Sequence, residues 1–343
     1  MMKIKRELKN LGIKPIEELS VQEKTYIAEK VSTKLASLKV LGITHNEILE
    51  KLFDAKMYTA EINNNLGKVN YFYKNKTIYF DKSLNILELD ENILRECIHY
   101  IQDKREKQNR MGLCIFEQYK VRGMALNEIG ISYISNKLLN KINHNKTFTL
   151  LKQILLITGE EVFLDSILNN NNKFQEKFMQ MVNSENLYYK MQNTLDAMFD
   201  LEQITKRLDF EGRKSFNPQR YLTKINMHKH TLNSKFLEIQ WDIYNRYFSR
   251  KIEIIDKIEE IKEYKEELFN FNQWLEISED ELKYTNYVTE KIERLNKIEL
   301  ELIRSKSNNS MIVFEKNTLQ KIIKNIKKII FKSKQNKENT LNI

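Results

Sequence analysis

Residues that break helices are so scarce in this chain that they constrain its class before any motif is considered: 343 residues contain eight Gly and two Pro. Glycine supplies positive φ, and proline fixes φ and removes a backbone donor. A many-turned β architecture therefore draws heavily on both. The expectation is a mainly α, multi-helical protein. One stretch argues for strands. Val69 to Tyr73 and Thr77 to Asp81 are β-rich runs joined through Asn75-Lys76, and they read as a small β-hairpin.

Helix signals surround that hairpin. Ser20 with Glu23 forms a capping-box pattern ahead of Ile27, Val31, Leu35 and Leu38, and Gly42 follows as a stop. Thr44 with Glu47 repeats the pattern ahead of Ile48, Leu49, Leu52 and Phe53, so two or three helices precede the hairpin. A Gly-containing turn between helices also suits a helix-turn-helix DNA reader, but no basic recognition face stands out and core packing accounts for the apolar positions. After the hairpin, Asp90 caps a helix whose apolar stripe is Ile93, Leu94, Cys97, Ile98 and Ile101. Asn92, Arg95, Glu96, His99 and Asp103 fall on its other side.

Within that helix, Arg95-Glu96-Cys97-Ile98-His99 reads as the zinc-peptidase motif H-E-x-x-H with arginine in place of the first histidine. In the intact motif two histidines four residues apart share a helix face and bind the metal, and the glutamate between them polarises the bound water. E-x-x-H alone is a weak signal in a Glu-rich chain, so context carries the argument. Downstream, Gly123-Met124-Ala125-Leu126-Asn127-Glu128 lies in a second helical pattern that offers a carboxylate. Hairpin, motif helix and Glu-bearing helix in that order resemble the core of the gluzincin metallopeptidases over about residues 55–140. Tyr100-Ile101-Gln102 extends the likeness toward small bacterial relatives of that group.

The resemblance implies roles residue by residue. Glu96 matches the general base, His99 the second histidine ligand, and Asn127-Glu128 the third-ligand motif with Asn127 in support; Arg95 stands at a substituted ligand position. Arginine stays protonated and offers no lone pair to a cation, so it does not ligate zinc. His99 and Glu128 are then two ligands where a catalytic site needs three. Cys97 points to the apolar side of its helix, and nothing places Cys114 or His45 at the site. A charge argument suggests a replacement: the Arg95 guanidinium neutralises Glu96 and Glu128, with His99 as a second positive group.

These readings lead to the expectation of a degenerate gluzincin-like protein without peptidase activity and without a cofactor, acting as an interaction or scaffold module. Two alternatives stand beside it: an active zinc metallopeptidase with one ligand from outside the motif, and a helical nucleic-acid or membrane-surface binding protein. An ordinary amphipathic helix with Arg95 and His99 merely exposed is the plainest account of all.

Beyond residue 140 the chain reads as helical scaffolding. Residues 147–168 and 173–207 carry apolar side chains at helical spacing, separated by a loop at Asn169-Asn170-Asn171-Asn172. Met179, Met181, Met191 and Met198 are spaced as helix core, and His228-x-His230 splays its imidazoles. Ile254, Ile258, Ile261, Lys265, Leu268 and Leu275, then Val288, Ile292, Leu295 and Leu302, suggest a long antiparallel helical hairpin with a capping box at Ser278 to Glu281. The domains expected are residues 1–145 as the gluzincin-like core, 146–305 as a helical domain, and 306–343 as a basic amphipathic tail.

That tail sets Leu319, Ile322, Ile323, Ile326 and Ile330 against Lys324, Lys327 and Lys328, a pattern suited to an anionic membrane surface, an acidic partner groove, or docking on the protein itself. The net charge of +10 reflects lysines spread along the chain, without the interleaved Arg and aromatic stripe of a nucleic-acid binder, so a nucleic-acid partner is disfavoured and a peptide or protein partner is left open. Two cysteines, no membrane-length apolar span and a polar start point to a cytoplasmic protein, with the tail as a route to the membrane periphery.

Overall fold

The structure is a computed structural model and describes residues 2–307 apart from 64–66, 105–108, 119, 144, 211–217, 254, 256–257 and 274–280. The elements run α1 (Met2–Asn10), β1 (Ile13–Glu18), α2 (Val21–Ala36), α3 (His45–Phe53), β2 (Lys56–Ile62), β3 (Val69–Phe72), β4 (Thr77–Asp81) and α4 (Glu91–Gln102). There follow β5 (Arg110–Met111), β6 (Cys114–Phe116), β7 (Val121–Arg122), α5 (Met124–Leu138), α6 (Lys146–Thr158), α7 (Glu160–Asn169), α8 (Lys173–Val182) and α9 (Glu185–Phe210). The last are α10 (Pro218–Glu253), α11 (Ile258–Gln273) and α12 (Glu281–Ser307). The fold is mainly helical, as the scarcity of Gly and Pro requires.

Both N-terminal capping boxes form. Ser20 accepts from Glu23 N and Thr44 from Glu47 N, each glutamate bonding back to its cap. The hairpin at 69–81 is β3 and β4, but it does not stand alone. It belongs to a four-stranded sheet of order β1-β2-β4-β3, with β2 parallel to β4 and the other pairs antiparallel. β1 escaped the sequence pattern because only Ile13 is buried along it, and it carries Pro15 and a register shift between Pro15 and Glu17. These are features of a protected edge, not of a core strand.

The sheet is covered on both faces. Leu8 of α1 packs with Ile13, Ala60, Phe72 and Tyr79 on one. Ile78 and Phe80, on the opposite face from Tyr79 by the two-residue period, are fully buried, and α4 packs on β3 and β4. The apolar stripe of α4 is sealed accordingly: Ile93, Leu94, Cys97 and Ile98 are each 0% exposed. A second sheet, β5-β6-β7, leads through Gly123 in the left-handed region (φ 77°) into α5.

The helical spacing over 147–168 and 173–207 is broken twice in the structure. Gly159 (φ 87°) divides α6 from α7, and Asn183 (φ 48°) ends α8 before α9. The apolar period continues across both breaks, so only residues able to hold positive φ mark them.

Packing divides the chain into two compact units, Met1–Ile254 with Glu267–Tyr284, and Ile255–Glu266 with Thr285–Ile343. α5 and α6 pack together within the first unit. Within the second, Ile261, Tyr264 and Leu295 are buried and Lys265 pairs with Glu299 at 2.6 Å. Ile254, Leu275 and Ser278 of the expected helical hairpin lie outside the described residues, as does the tail carrying Leu319, Ile322, Ile323, Lys324, Ile326, Lys327, Lys328 and Ile330. Among the described residues no helix is long and apolar enough to cross a membrane.

Candidate functional site

α4 brings Arg95 and His99 one turn apart onto its polar side, and α5 presents Glu128 opposite them. Arg95 Nη2 donates to Glu128 Oε2 at 2.9 Å, and His99 Nε2 lies 3.1 Å from Glu128 Oε1. Both carboxylate oxygens are thus engaged by cationic side chains. The side chains are 29%, 10% and 17% exposed for Arg95, His99 and Glu128, so the pairing is little screened by water.

The electrostatics follow from this arrangement. Burial pushes the Glu128 carboxyl up, but the charge and hydrogen bonds of His99 and Arg95 outweigh it and hold the group down at about 2. Burial pushes His99 down, and the charge and hydrogen bond of Glu128, with Glu96 adding, reverse that and leave it raised. Glu128 is ionised and His99 favours its protonated form, as an ion triad requires.

Glu96 takes a different partner from the one expected. The sequence reading had Arg95 neutralising both carboxylates, yet the Glu96 carboxylate accepts the Tyr71 backbone N–H at 2.8 Å. β3 is an edge strand, so a donor turned away from β4 needs a partner outside the sheet, and Glu96 supplies it. Burial raises the Glu96 pKa, with the nearby charge of Glu128 adding to the rise and His99, the Tyr71 amide and Arg95 opposing it. Asp103, one face further along α4, accepts the Tyr71 hydroxyl at 2.6 Å, and the Tyr71 ring meets Tyr100 edge-on at 5.8 Å. Arg95, Glu96, His99 and Asp103 therefore all bond to neighbouring elements.

Asn127 does not join the triad. Its Oδ1 accepts from Leu113 N at 3.0 Å and its Nδ2 donates to Gln102 Oε1 at 3.3 Å. Gln102 Nε2 donates to Ile167 O at 2.8 Å, Asn170 Nδ2 to Gln102 O at 2.7 Å, and Gly112 N to Asn170 Oδ1 at 2.6 Å. This buried amide clamp ties α4, α5, the β5–β6 turn and the end of α7 together. A Cβ at Gly112 (φ 57°) would fall 2.1 Å from Asn127 Oδ1, so the turn accommodates only glycine.

Asp196 was not singled out from the sequence, where Gln102 was read only as extending the likeness and Asn170 only as part of a polar loop. Gln102 carried a signal, being a polar residue four beyond Ile98 on an otherwise apolar stripe. Asp196 of α9 accepts from Gly123 N at 2.7 Å and Ala125 N at 2.9 Å, capping the helix that bears Glu128 from outside its own sequence neighbourhood.

The resemblance implies zinc, and the residues present do not fit it. The two ligand-type side chains are occupied with each other, and a guanidinium holds the position of the missing donor. Cys97 and Cys114 are buried thiols raised well above their ordinary pKa by burial, and Cys114 Sγ contacts Gly123 O at 3.7 Å. Among the described residues no group of three or more His, Cys, Asp or Glu is arranged to hold a metal ion. His228 and His230 are exposed on α10, and the methionines fall on helices with Met191 in the core. No family model, curated protein or solved structure matches the chain.

Proposed function

We propose that this protein is a degenerate gluzincin-like module without peptidase activity, in which Arg95 stands as a fixed cation where the peptidases hold zinc, and that it acts by interaction instead of catalysis. The observation that carries this reading is the double engagement of Glu128 by Arg95 and His99. A dication needs those lone pairs, and displacing a half-buried arginine to reach them leaves its charge unpaired. The general-base position is also tied into the fold, since Glu96 Oε2 accepts the Tyr71 amide at the edge of β3. Free, buried thiols at Cys97 and Cys114 suit the reducing cytoplasm, where we place the protein.

Metal analysis and peptide hydrolysis on wild type and Arg95→His test the reading together. Wild type is expected to carry substoichiometric zinc and to show no metal-dependent hydrolysis, and Arg95→His to raise zinc occupancy. Full occupancy in wild type, abolished by His99→Ala or Glu128→Ala, makes the protein an active zinc enzyme with an outside ligand and sinks the proposal.

A further inference from the structure

Arg95, Glu96, His99 and Asp103 on the polar side of α4 are engaged with α5 and β3. The N-terminal half of α10 is different in kind. Between residues 218 and 237 the chain contains no Asp or Glu. Lys224, His228, Thr231 and Lys235 follow one another at i, i+4, i+7 and i+11, which at about 100° per residue keeps them on one side of the helix. All four are exposed. Among the described residues, Lys224, His228 and Lys235 make no ion pair.

This stripe is anchored from behind and bounded at its end. Ile225 (4% exposed), Phe236 (3%) and Ile239 (1%) hold the helix to the body of its unit, so the stripe is a preformed surface. It stops where acid begins: Glu238 and Asp242 lie 2.7 and 3.8 Å from Lys190 of α9, and charge there is balanced. Along the stripe, donors recur about every 6 Å on a rigid rod. Exposed Ser234 adds a further hydrogen-bonding group beside it.

We propose that the Lys224–His228–Thr231–Lys235 stripe of α10 is a docking surface for the phosphate backbone of a nucleic acid, read without base specificity. Two lysines on one side of the helix, about 16 Å apart along its axis, with a histidine and a threonine between them, present phosphate-binding groups along a strand, and phosphate contacts of this kind position a strand without reading its sequence. A lipid surface fits less well, because Ile225 and Phe236 are turned into the protein and, among the described apolar side chains of this segment, only Met227 is fully exposed. The sequence alone gave scattered lysines; helical phase and exposure bring two of them and a histidine into line.

Fluorescence anisotropy with a short labelled single strand and the matching duplex, using the full chain, tests the assignment. Binding is expected to weaken steeply between about 50 and about 200 mM salt. Lys224→Glu with Lys235→Glu is expected to weaken it at least about tenfold, and the milder Lys224→Gln with Lys235→Gln to lower the log–log salt slope by between about 1 and 2. Lys5→Glu with Lys9→Glu, the same change in net charge on the exposed side of α1, is expected to leave the slope unaltered. An equal loss in that control, no binding by wild type at low salt, or binding to phosphatidylglycerol vesicles but not to nucleic acid each overturns the proposal. None of these outcomes depends on whether Arg95→His binds zinc, so this surface and the reading of the α4 site stand or fall separately.

Discussion

α4 and the first half of α10 are each helices with basic and polar residues on one side, and the fold treats those sides in opposite ways. On α4, Arg95 and His99 reach Glu128 on α5, while Glu96 and Asp103 reach Tyr71 on β3. On α10, among the described residues the Thr231 hydroxyl bonds to Met227 O within its own helix, and Lys224 and Lys235 are exposed. The residues that look most like chemistry in the sequence are thus the ones used to hold elements together. The residues that look like compositional background are the ones left facing outward. A charged side chain becomes structural when a neighbouring element presents a complementary group in a low-dielectric gap, and residue type alone does not decide that.

The sharpest way to break the comparison is to remove the shared acceptor. Glu128→Ala leaves Arg95 and His99 beside each other with little water to screen them, and is expected to cost about 3–5 kcal/mol in urea unfolding. A cost under about 1 kcal/mol places the α4 pairing in the same class as a surface ion pair, and the contrast with α10 disappears.

The pH dependence of stability sets the next largest effect. Glu128, held at about 2 against an ordinary 4.5, stabilises the fold in full above pH 4.5 and loses that contribution as pH falls toward 2. The loss is about 3 kcal/mol by linkage. His99 is raised above 6.5, so its contribution is complete below pH 6.5 and fades as pH rises through its folded value. Glu96, also raised, acts above the Glu128 window: its contribution is complete below pH 4.5 and is lost as pH rises through its folded value. Chemical denaturation across pH 2–9 is expected to show an acid limb that Glu128→Gln reduces and Glu96→Gln leaves in place; an acid limb unchanged in Glu128→Gln contradicts the assignment.

Asn127→Ala separates the triad from the clamp beneath it. The substitution strands the Leu113 amide and the Gln102 carboxamide in a buried site and is expected to destabilise by about 2 kcal/mol. The Glu128 titration should persist in this variant, because Asn127 bonds to neither Arg95 nor His99. Loss of the acid limb here means that the two networks are one. The smallest effect belongs to α10: Lys224→Ala is expected to change thermal stability by less than about 0.5 kcal/mol, and a larger loss means that this side chain is not the solvated group described.

Much of this was legible from local pattern. The capping boxes at Ser20 and Thr44, the Asp90 cap and the burial of Ile93, Leu94, Cys97 and Ile98 all follow from spacing within a few residues. β1 was not legible, because an edge strand with one buried residue and a proline leaves no alternation to read. Nor was the break at Gly159, since the apolar rhythm passes through it. At the site, spacing placed Arg95, Glu96, His99 and Asp103 together on one side of α4, and the hydrogen-bond partner of Glu96 was not legible. A backbone amide at a sheet edge has no signature in sequence, because every non-proline residue carries one.

What the sequence determined by itself is the helical class, through its lack of Gly and Pro, and the sorting of α4 into an apolar and a polar side. Tertiary structure decided what each polar group does. Arg95 meets Glu128 across 33 residues, Gly112 meets Asn170 across 58, and Gly123 meets Asp196 across 73. Helical period and capping act over one or two turns, where backbone geometry alone fixes the neighbours. A buried ion triad or amide clamp is made by elements brought together in packing, so its members acquire their roles only when the core that carries them has formed.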